Sequence, residues 1–254
     1  MWLILADDTD SSARWLYQQL KHDARLDVRL ASAFTVASNI NWAFRASPTG
    51  SSPEFILADG RRISTDCLDG VLNRLTRIPS VRGTTAPGRA ACEGDPEQTA
   101  HFVNWMYSLS IPVLNRPDIL NLTGIWRRAS DWTVMASVAG LLPAPFRAET
   151  PPAYHTEVSL VADSRIDGMN RTVFVVGGRV VGEDVPASIA DGCVCLSHIL
   201  NCDLIAAHFC VNRAGAWLIT GFSAQPDLRL GGDALVHAIA AMMLARNDVL
   251  SASA

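Results

Sequence analysis

The sequence of 254 residues carries a formal net charge of −4, and 49% of its residues are hydrophobic. This length and hydrophobic content are sufficient for a substantial buried core, in one large domain or two small ones. A mildly acidic balance excludes the basic surface that nucleic-acid phosphates require, so we expect no nucleic-acid partner.

The sequence also argues against membrane and secreted classes. No apolar run approaches the roughly 20 residues that a membrane span needs. The first residues, MWLILADDTD, have no basic leader and turn acidic after five positions. We therefore expect a cytoplasmic protein with no membrane partner. Lys21 is the only lysine, so a reaction that needs an ammonium group has a single candidate side chain.

The N-terminal half alternates predicted strands and helices. Residues 2–6, WLILA, predict a strand, and the polar residues 7–12 predict the N-cap of a helix with Trp15, Leu16 and Leu20 near one face. The following predicted elements are a strand in LDVRLASA, a hairpin in EFILADGRRIS, a strand at 70–75, a loop at 76–96, a helix at 97–110 and a strand in IPVLN. This alternation predicts an open α/β sheet.

The second half contains longer helices and two hairpins. After Arg116 and Pro117, two helical stretches are predicted as far as about Gly140. RTVFVVGGRVVG predicts a hairpin that turns at Gly177 and Gly178. The remaining predicted elements are a helix at 192–206, a strand at 207–211, a turn at 212–215, a strand at 217–222 and a helix at 232–246.

General catalytic motifs are missing from the sequence. It contains no GxxxxGK[ST] loop, no GxGxxG after a strand, no HExxH and no GxSxG. Asp7 and Asp8 follow the first predicted strand, at the end where open α/β sheets bind ligands. Capping of the next helix is the interpretation that we favour for them.

The six cysteines include no CxxC pair, so a disulfide framework is not expected. Four of them interleave with two histidines and could supply a zinc site. The alternative is burial of each cysteine as a small hydrophobic residue, which the apolar surroundings favour. The residues concerned are Cys193, Cys195, His198, Cys202, His208 and Cys210.

Five segments, taken in order, resemble the ATP-grasp ligases, particularly their glutathione-synthetase-like and peptide-modifying branch. The segments are VLNRL, EQTAHFVNWMYSLSIPVLNRPDI, ASVAGLLPAP, NRTVFVVGGRVVG and AAHFCVNRAGAWLITGFSAQP. The resemblance implies an α/β fold, with a Rossmann-like pre-ATP-grasp domain at 1–118 and a reduced ATP-grasp-like α+β domain at 119–254. Such ligases activate a carboxylate as an acyl phosphate and hold Mg²⁺ with two acids and an amide.

The sequence departs from this family at the positions where the resemblance implies magnesium ligands. His208 stands in place of the first acid, Gly221 in place of the second, and Ser223 in place of the amide. Only 25 residues separate Pro145 from Arg171, where the family has a lysine strand, a phosphate loop and a strand that contacts adenine. We interpret that portion as deleted.

Three residues are candidates for ligand binding. Arg171 matches the family arginine that opens a hairpin near the transferred phosphoryl group, with a plain surface charge as the alternative. Arg74 and Asn115 end two predicted strands, and they face the ligand crevice if the sheet is parallel.

The sequence thus predicts a degenerate ATP-grasp-like protein without ligase chemistry, which acts as a binding or partner subunit in a biosynthetic or peptide-modification pathway. We expect no cofactor, and either a homodimer or a protein partner such as an intact ATP-grasp ligase. The alternative is an ATP- and Mg²⁺-dependent carboxylate–amine ligase. Its site would be rebuilt from arginines and from Glu183, Asp184, Asp191 and Asp227.

Overall fold

The chain divides into two compact units. Unit 1 consists of Met1–Gly124 and Ile239–Ala254, and unit 2 consists of Ile125–Ala238. The domain boundary between residues 118 and 119 stays a prediction. The computed structural model describes residues 1–38, 54–56, 60, 62–79, 96–118, 121–123, 129–149, 159–162 and 168–252.

Unit 1 contains strands and helices in the predicted alternation. They are β1 (Trp2–Ala6), α1 (Ser11–Leu20), β2 (Val28–Ser32), α2 (Ala33–Ser38), β3 (Glu54–Ile56), β4 (Arg62–Ser64), β5 (Gly70–Arg74), α3 (Pro96–Ser108) and β6 (Val113–Leu114). A parallel sheet has the strand order β2-β1-β5-β6, and β3 and β4 form the predicted antiparallel hairpin. The α/β class is therefore confirmed. The Rossmann-like topology stays a prediction, and the predicted loop lies mostly outside the described residues.

The core of unit 1 lies around the two central strands. Every residue of β1 and β5 is buried, as is usual for parallel strands covered on both faces. Phe102 and Trp105 of α3 belong to one hydrophobic cluster with Leu3, Leu5 and Val71. Their rings meet edge to face, with centroids 5.8 Å apart, an arrangement that aromatic pairs prefer.

Helix α1 begins at the predicted N-cap cluster. The Asp10 carboxylate accepts a hydrogen bond of 2.9 Å from the backbone N–H of Ala13, which satisfies one of the free donors in the first helical turn. Leu16 and Leu20 are buried and Trp15 is half-buried, so the predicted apolar face is confirmed.

Unit 2 contains a mixed sheet with helices. Its elements, of which the last continues into unit 1, are α4 (Ala129–Val138), β7 (Leu142–Pro143), β8 (Phe146–Glu149), β9 (Ser159–Ala162), β10 (Gly168–Val176), β11 (Arg179–Val181), α5 (Ala187–Ile199), β12 (Leu204–Asn212), β13 (Trp217–Ser223) and α6 (Gly232–Ala252). The larger sheet has the order β11-β10-β12-β13-β7. All its pairs are antiparallel except the pair of β13 with β7.

The two predicted hairpins of unit 2 are confirmed. Between β12 and β13, the Asn212 side chain accepts hydrogen bonds from the backbone N–H groups of Ala214 and Ala216, at 3.0 and 2.9 Å. Between β10 and β11, Gly177 and Gly178 both have positive φ angles, of 53° and 83°. A two-residue turn with this pair of angles has the geometry of a type I′ hairpin, which glycine adopts without steric cost.

One face of the larger sheet is covered by α4 and α5. Val173 of β10, Ile205, Ala207 and Phe209 of β12, and Ile219 of β13 form a cluster with residues of both helices. We call this the helix-covered face. Because side chains alternate along a strand, the residues between these lie on the opposite face.

Several predicted helices are wrong in extent, and α6 continues to Ala252, beyond its predicted end at residue 246. Helix α5 begins at Ala187 and ends at Ile199, whereas the sequence suggested 192–206. Pro186 has a φ of −59° that suits a helix start, and Asn201 has a left-handed φ of 47° that suits a helix end. The first helical stretch predicted after Pro117 is also wrong where it is described, because Asp118 and Asn121 form an isolated antiparallel bridge there.

The short segment between Pro145 and Arg171 contains a two-stranded antiparallel ribbon. Its strands are β8 and β9, with Phe146 opposite Ala162 and Glu149 opposite Ser159. Residues 150–158 and 163–167 lie outside the described residues. The deletion of the family's phosphate loop stays a prediction.

Within the part of the chain that the structure describes, one segment, Leu228–Arg246, is long and apolar enough to cross a membrane, with a mean hydropathy of 1.4. Leu235, Ile239 and Met243 follow one another at four-residue intervals within it, and none of them is exposed. This periodic burial is typical of a helix packed against a protein core.

Candidate functional site

Two neighbouring strands of unit 2 bring the predicted metal positions together. His208 of β12 is paired directly with Gly221 of β13, and Ser223 is paired with Ala206. Residues paired across an antiparallel ladder share a face, as do residues two apart along a strand. His208, Gly221 and Ser223 therefore lie on the face opposite the helix-covered face, which we call the His208 face.

His208 is fixed by a residue of the next strand. Thr172 of β10 is paired with His208, and the Thr172 hydroxyl lies 3.2 Å from His208 Nδ1, within hydrogen-bond distance. His208 is half-buried, and this burial lowers the pKa of its imidazole below the ordinary value of 6.5. The ring is consequently neutral at physiological pH, with one nitrogen held by Thr172.

A β-bulge lies beside His208. The ladder shifts between His208 and Phe209, so that Thr220 is the additional residue on β13. The Thr220 hydroxyl donates a hydrogen bond of 3.1 Å to the His208 carbonyl oxygen. The bulge keeps Ile219 on the helix-covered face and Gly221 on the His208 face.

Gly221 and Ser223 leave room and a hydroxyl group on this face. A Cβ atom added at Gly221 would meet no atom within 4 Å, so the space above this glycine is open. The Ser223 Oγ atom accepts a hydrogen bond of 3.0 Å from the backbone N–H of Gln225. That bond uses an oxygen lone pair and leaves the hydroxyl proton of Ser223 available to a further acceptor.

These residues do not fit Mg²⁺. Magnesium takes oxygen ligands, usually with one or two carboxylates, whereas the three positions supply a neutral imidazole, a hydrogen atom and a neutral hydroxyl. Within the part of the chain that the structure describes, no group of three or more His, Cys, Asp or Glu side chains is placed to hold a metal ion.

The zinc candidates are dispersed. Cys193 and Cys202 lie in the cluster of the helix-covered face, opposite His208, while Cys195 and His198 are exposed on α5. Burial raises the pKa of the Cys193 thiol to about 12, as expected for a cysteine packed as a small hydrophobic residue.

Arg171 does not lie with the three metal positions. It is paired with Phe209, which places it on the helix-covered side, and its guanidinium lies 3.4 Å from the Glu183 carboxylate. Sequence reasoning chose Arg171 and missed Thr172, which is the β10 residue that contacts His208. Residues 173–176 of β10 are all buried, so the sequence shows no alternation that could have identified Thr172. The ligand role of Arg171 stays a prediction.

Arg74 and Asn115 lie in unit 1, at the carboxyl ends of two neighbouring strands, as expected. Arg74 is buried and forms an ion pair of 2.8 Å with Asp10. The backbone carbonyl of Asn115 accepts a hydrogen bond of 3.1 Å from the Asn73 amide, and Asn115 has a φ of 55°. These contacts give both positions a structural role, and their ligand role stays a prediction.

Asp7 and Asp8, at the same sheet edge, do not cap α1. The Asp7 carboxylate accepts a hydrogen bond of 3.2 Å from the backbone N–H of Thr76 and another from its hydroxyl. The Asp8 carbonyl accepts a hydrogen bond from the Arg14 guanidinium, at 2.5 Å. The cap of α1 is Asp10, so Asp7 instead ties the ends of β1 and β5 together.

No protein-family model and no curated protein sequence matches the chain. Solved structures do match its fold. The macrocyclase MdnC bound with precursor peptide MdnA, from Microcystis aeruginosa MRC, has a TM-score of 0.68 at 12% identity over 96% of this chain and 99% of that chain.

Two further solved structures are similar over almost the full length. A RiPP-associated ATP-grasp ligase of Chryseobacterium gregarium, in complex with ADP and a leader and core peptide, has a TM-score of 0.65 at 10% identity, covering 96% of each chain. ATP-grasp ligase PsnB, complexed with minimal precursor, Mg and ADP, has a TM-score of 0.64 at 10% identity, covering 97% of this chain and 98% of that chain. The chain therefore has the same fold as these solved structures, two of which are ATP-grasp ligases.

Proposed function

We propose that the chain binds a peptide or protein partner in a peptide-modification pathway and does not carry out ATP-dependent ligation. The observation that carries this proposal is the set of residues on the His208 face. His208, Gly221 and Ser223 lie together where the resemblance implies a magnesium site, yet they supply no carboxylate. Loss of the metal alone removes transition-state stabilisation worth several kcal/mol in metal-dependent reactions.

The binding half of the proposal is supported by the similar structures. MdnC is bound with a precursor peptide, and the Chryseobacterium gregarium ligase is in complex with a leader and core peptide. Since binding and chemistry are separate properties of a fold, a chain that has lost the reactive groups can keep a surface for peptides.

The alternative, a ligase with a rebuilt site, requires acidic residues close to the His208 face. Glu183 is 88% exposed and interacts with Arg171, and Asp227 caps a short helical turn and forms an ion pair with Arg229 at 2.6 Å. These contacts engage both acids elsewhere, so they favour the proposal over the alternative.

Thermal unfolding with and without millimolar Mg-ATP tests the proposal. A ligand at about 100 times its Kd stabilises a protein by roughly 2.7 kcal/mol, which raises the Tm by a few degrees. We expect no such increase for this chain. A clear increase in Tm, or release of ADP that depends on an added carboxylate and amine, would establish the ligase instead.

A variant with three substitutions, His208→Asp, Gly221→Glu and Ser223→Asn, provides a matched control. It should fold, because the space at Gly221 is open, and it restores the oxygen ligands that Mg²⁺ prefers. We expect it still to show no stabilisation by Mg-ATP. In our interpretation, the segment before Arg171 lacks the phosphate loop as well, so restoring the metal ligands alone is not sufficient. A nucleotide-dependent rise in its Tm would show that interpretation to be wrong.

A further inference from the structure

We infer that the His208 face binds an uncharged peptide segment through a backbone carbonyl group, which accepts hydrogen bonds from His208 Nε2–H and from the Ser223 hydroxyl above Gly221. This inference rests on the proposed function and specifies the chemistry of its site. It is carried by the hydrogen-bond geometry of the four residues Thr172, His208, Gly221 and Ser223.

The first step is the orientation of the His208 ring. The Thr172 hydroxyl lies 3.2 Å from Nδ1 and can donate its proton to that nitrogen. In a neutral imidazole, a hydrogen bond accepted at Nδ1 places the ring proton on Nε2. We assign this tautomer to His208, in which Thr172 donates to Nδ1 and Nε2–H is left to donate to a ligand. Among the described residues, no hydrogen-bond partner is placed at His208 Nε2.

The second step concerns the Ser223 hydroxyl as a second donor and the open space at Gly221. The Ser223 oxygen already accepts a hydrogen bond from the Gln225 backbone, so its proton is free to be donated. Ser223 and Gly221 are two residues apart on β13, which places their side chains about 7 Å apart on one face. The open space above Gly221 thus lies on the same face as both hydrogen-bond donors.

The third step is the charge of the ligand. Thr172, Gly221 and Ser223 carry no charge, and His208 is neutral at physiological pH. A phosphate or carboxylate transferred from water to these four residues would lose hydration without gaining an opposite charge. A peptide group carries no net charge and offers a strong acceptor oxygen. The site therefore suits a peptide carbonyl better than an anion or a metal ion.

The test is an NMR titration of protein labelled at the histidine Cε1 positions. The His208 resonance is identified as the one that disappears in His208→Gln. The probe is the neutral capped peptide acetyl-Ala-Gly-Ala-amide, and the comparison ligands are inorganic phosphate and MgCl₂. We expect a saturable shift of the His208 resonance with the peptide and none with phosphate or magnesium.

Two variants locate the binding site. Gly221→Leu fills the open space and should abolish the shift, whereas Ser223→Ala removes one neutral donor and should weaken binding by roughly fivefold. Met169→Ala, on an exposed position of β10, is the matched control and should leave the titration unchanged. An undiminished shift in Gly221→Leu, or a shift caused by phosphate, overturns the inference.

A second measurement covers the case in which Gly221→Leu does not fold. Thr172→Val removes the hydroxyl that fixes the tautomer, so the imidazole ¹⁵N shifts of His208 should change from one dominant tautomer toward a mixture. Unchanged ¹⁵N shifts would contradict the assignment. Stabilisation by Mg-ATP would overturn the proposed function. If neither stabilisation by Mg-ATP nor a His208 shift with the peptide is observed, only this inference is overturned.

Discussion

Arg74 connects α1 to the end of β5 through a buried ion pair. Its Nε atom lies 2.8 Å from Asp10 Oδ2, and the two side chains are 3% and 9% exposed. Removing one partner of such a pair leaves an uncompensated buried charge, which costs about 3 kcal/mol or more. We expect Arg74→Met to lower the free energy of unfolding by about 3 kcal/mol, measured by urea denaturation with tryptophan fluorescence.

Arg25→Met is the control for this prediction. Arg25 also pairs with an aspartate, Asp23, at 2.7 Å, but its side chain is 70% exposed. Exposed ion pairs contribute about 0–1 kcal/mol, so the free energy of unfolding of this variant should be close to that of the parent. Equal losses in the two variants would contradict a structural role for Arg74.

His208 makes the stability of the protein depend on pH. Burial lowers its pKa in the folded state below the ordinary 6.5, so at acidic pH the unfolded chain takes up the proton more readily. The stabilising contribution is complete above 6.5 and is lost as the pH falls from there through the folded-state pKa.

We expect the parent to lose more stability than His208→Gln between about pH 7.5 and about pH 5.5, because glutamine does not titrate there. Urea denaturation of both proteins at each pH measures the difference. If the two proteins lose the same stability, His208 is not the group responsible.

Among the elements, the β10–β11 hairpin turns through two consecutive residues with positive φ angles. Gly178 has a φ of 83°, and a Cβ atom placed there would meet no neighbour within 4 Å. Any cost of substitution consequently comes from the backbone and not from crowding. We expect Gly178→Val to lower the free energy of unfolding by about 1–2 kcal/mol and Gly178→Asn to lower it less, because asparagine tolerates left-handed angles. Thermal unfolding of both variants measures the difference. Equal Tm values for the valine and asparagine variants would contradict this prediction.

Local sequence chemistry predicted the elements whose ends are marked by turn or cap residues. The polar cluster at 7–12 marked the start of α1, Gly177 and Gly178 marked the β10–β11 hairpin, and the turn that begins at Asn212 marked the next one. The α5 boundary was wrong because Leu204 to Ala206 continue an apolar run. Apolar runs do not distinguish a buried strand from a helix.

The candidate site was predicted in part. The family resemblance implied His208, Gly221 and Ser223 as the metal positions, and the strand pairing brings them to one face. The partner of His208 was missed because the face of a β10 residue depends on the register with β12. A shift of the β10 register by one residue would place Arg171 instead of Thr172 on the His208 face. Local sequence patterns do not determine that register.

At the scale of the whole molecule, exposed apolar residues favour association. Val134 and Val138 lie one turn apart on α4 and are 63% and 71% exposed, and Leu142 in β7 is 57% exposed. We keep the prediction of a homodimer and expect Val138→Glu to weaken it, since a charge disfavours an apolar interface. Light scattering should give twice the chain mass for the parent. A parent of single-chain mass at micromolar concentration would contradict the prediction.

The composition of unit 1 from two separate stretches of chain has a consequence for biosynthesis. Gly124 and Ile239 are 115 residues apart in the sequence, and a ribosome adding about 5–20 residues per second needs roughly ten seconds to cover that interval. During this time the part of unit 1 that is synthesised first lacks the second half of α6. Unit 2 is one continuous stretch, so it can form its core earlier. The unit that is begun first on the ribosome is therefore the one that is finished last.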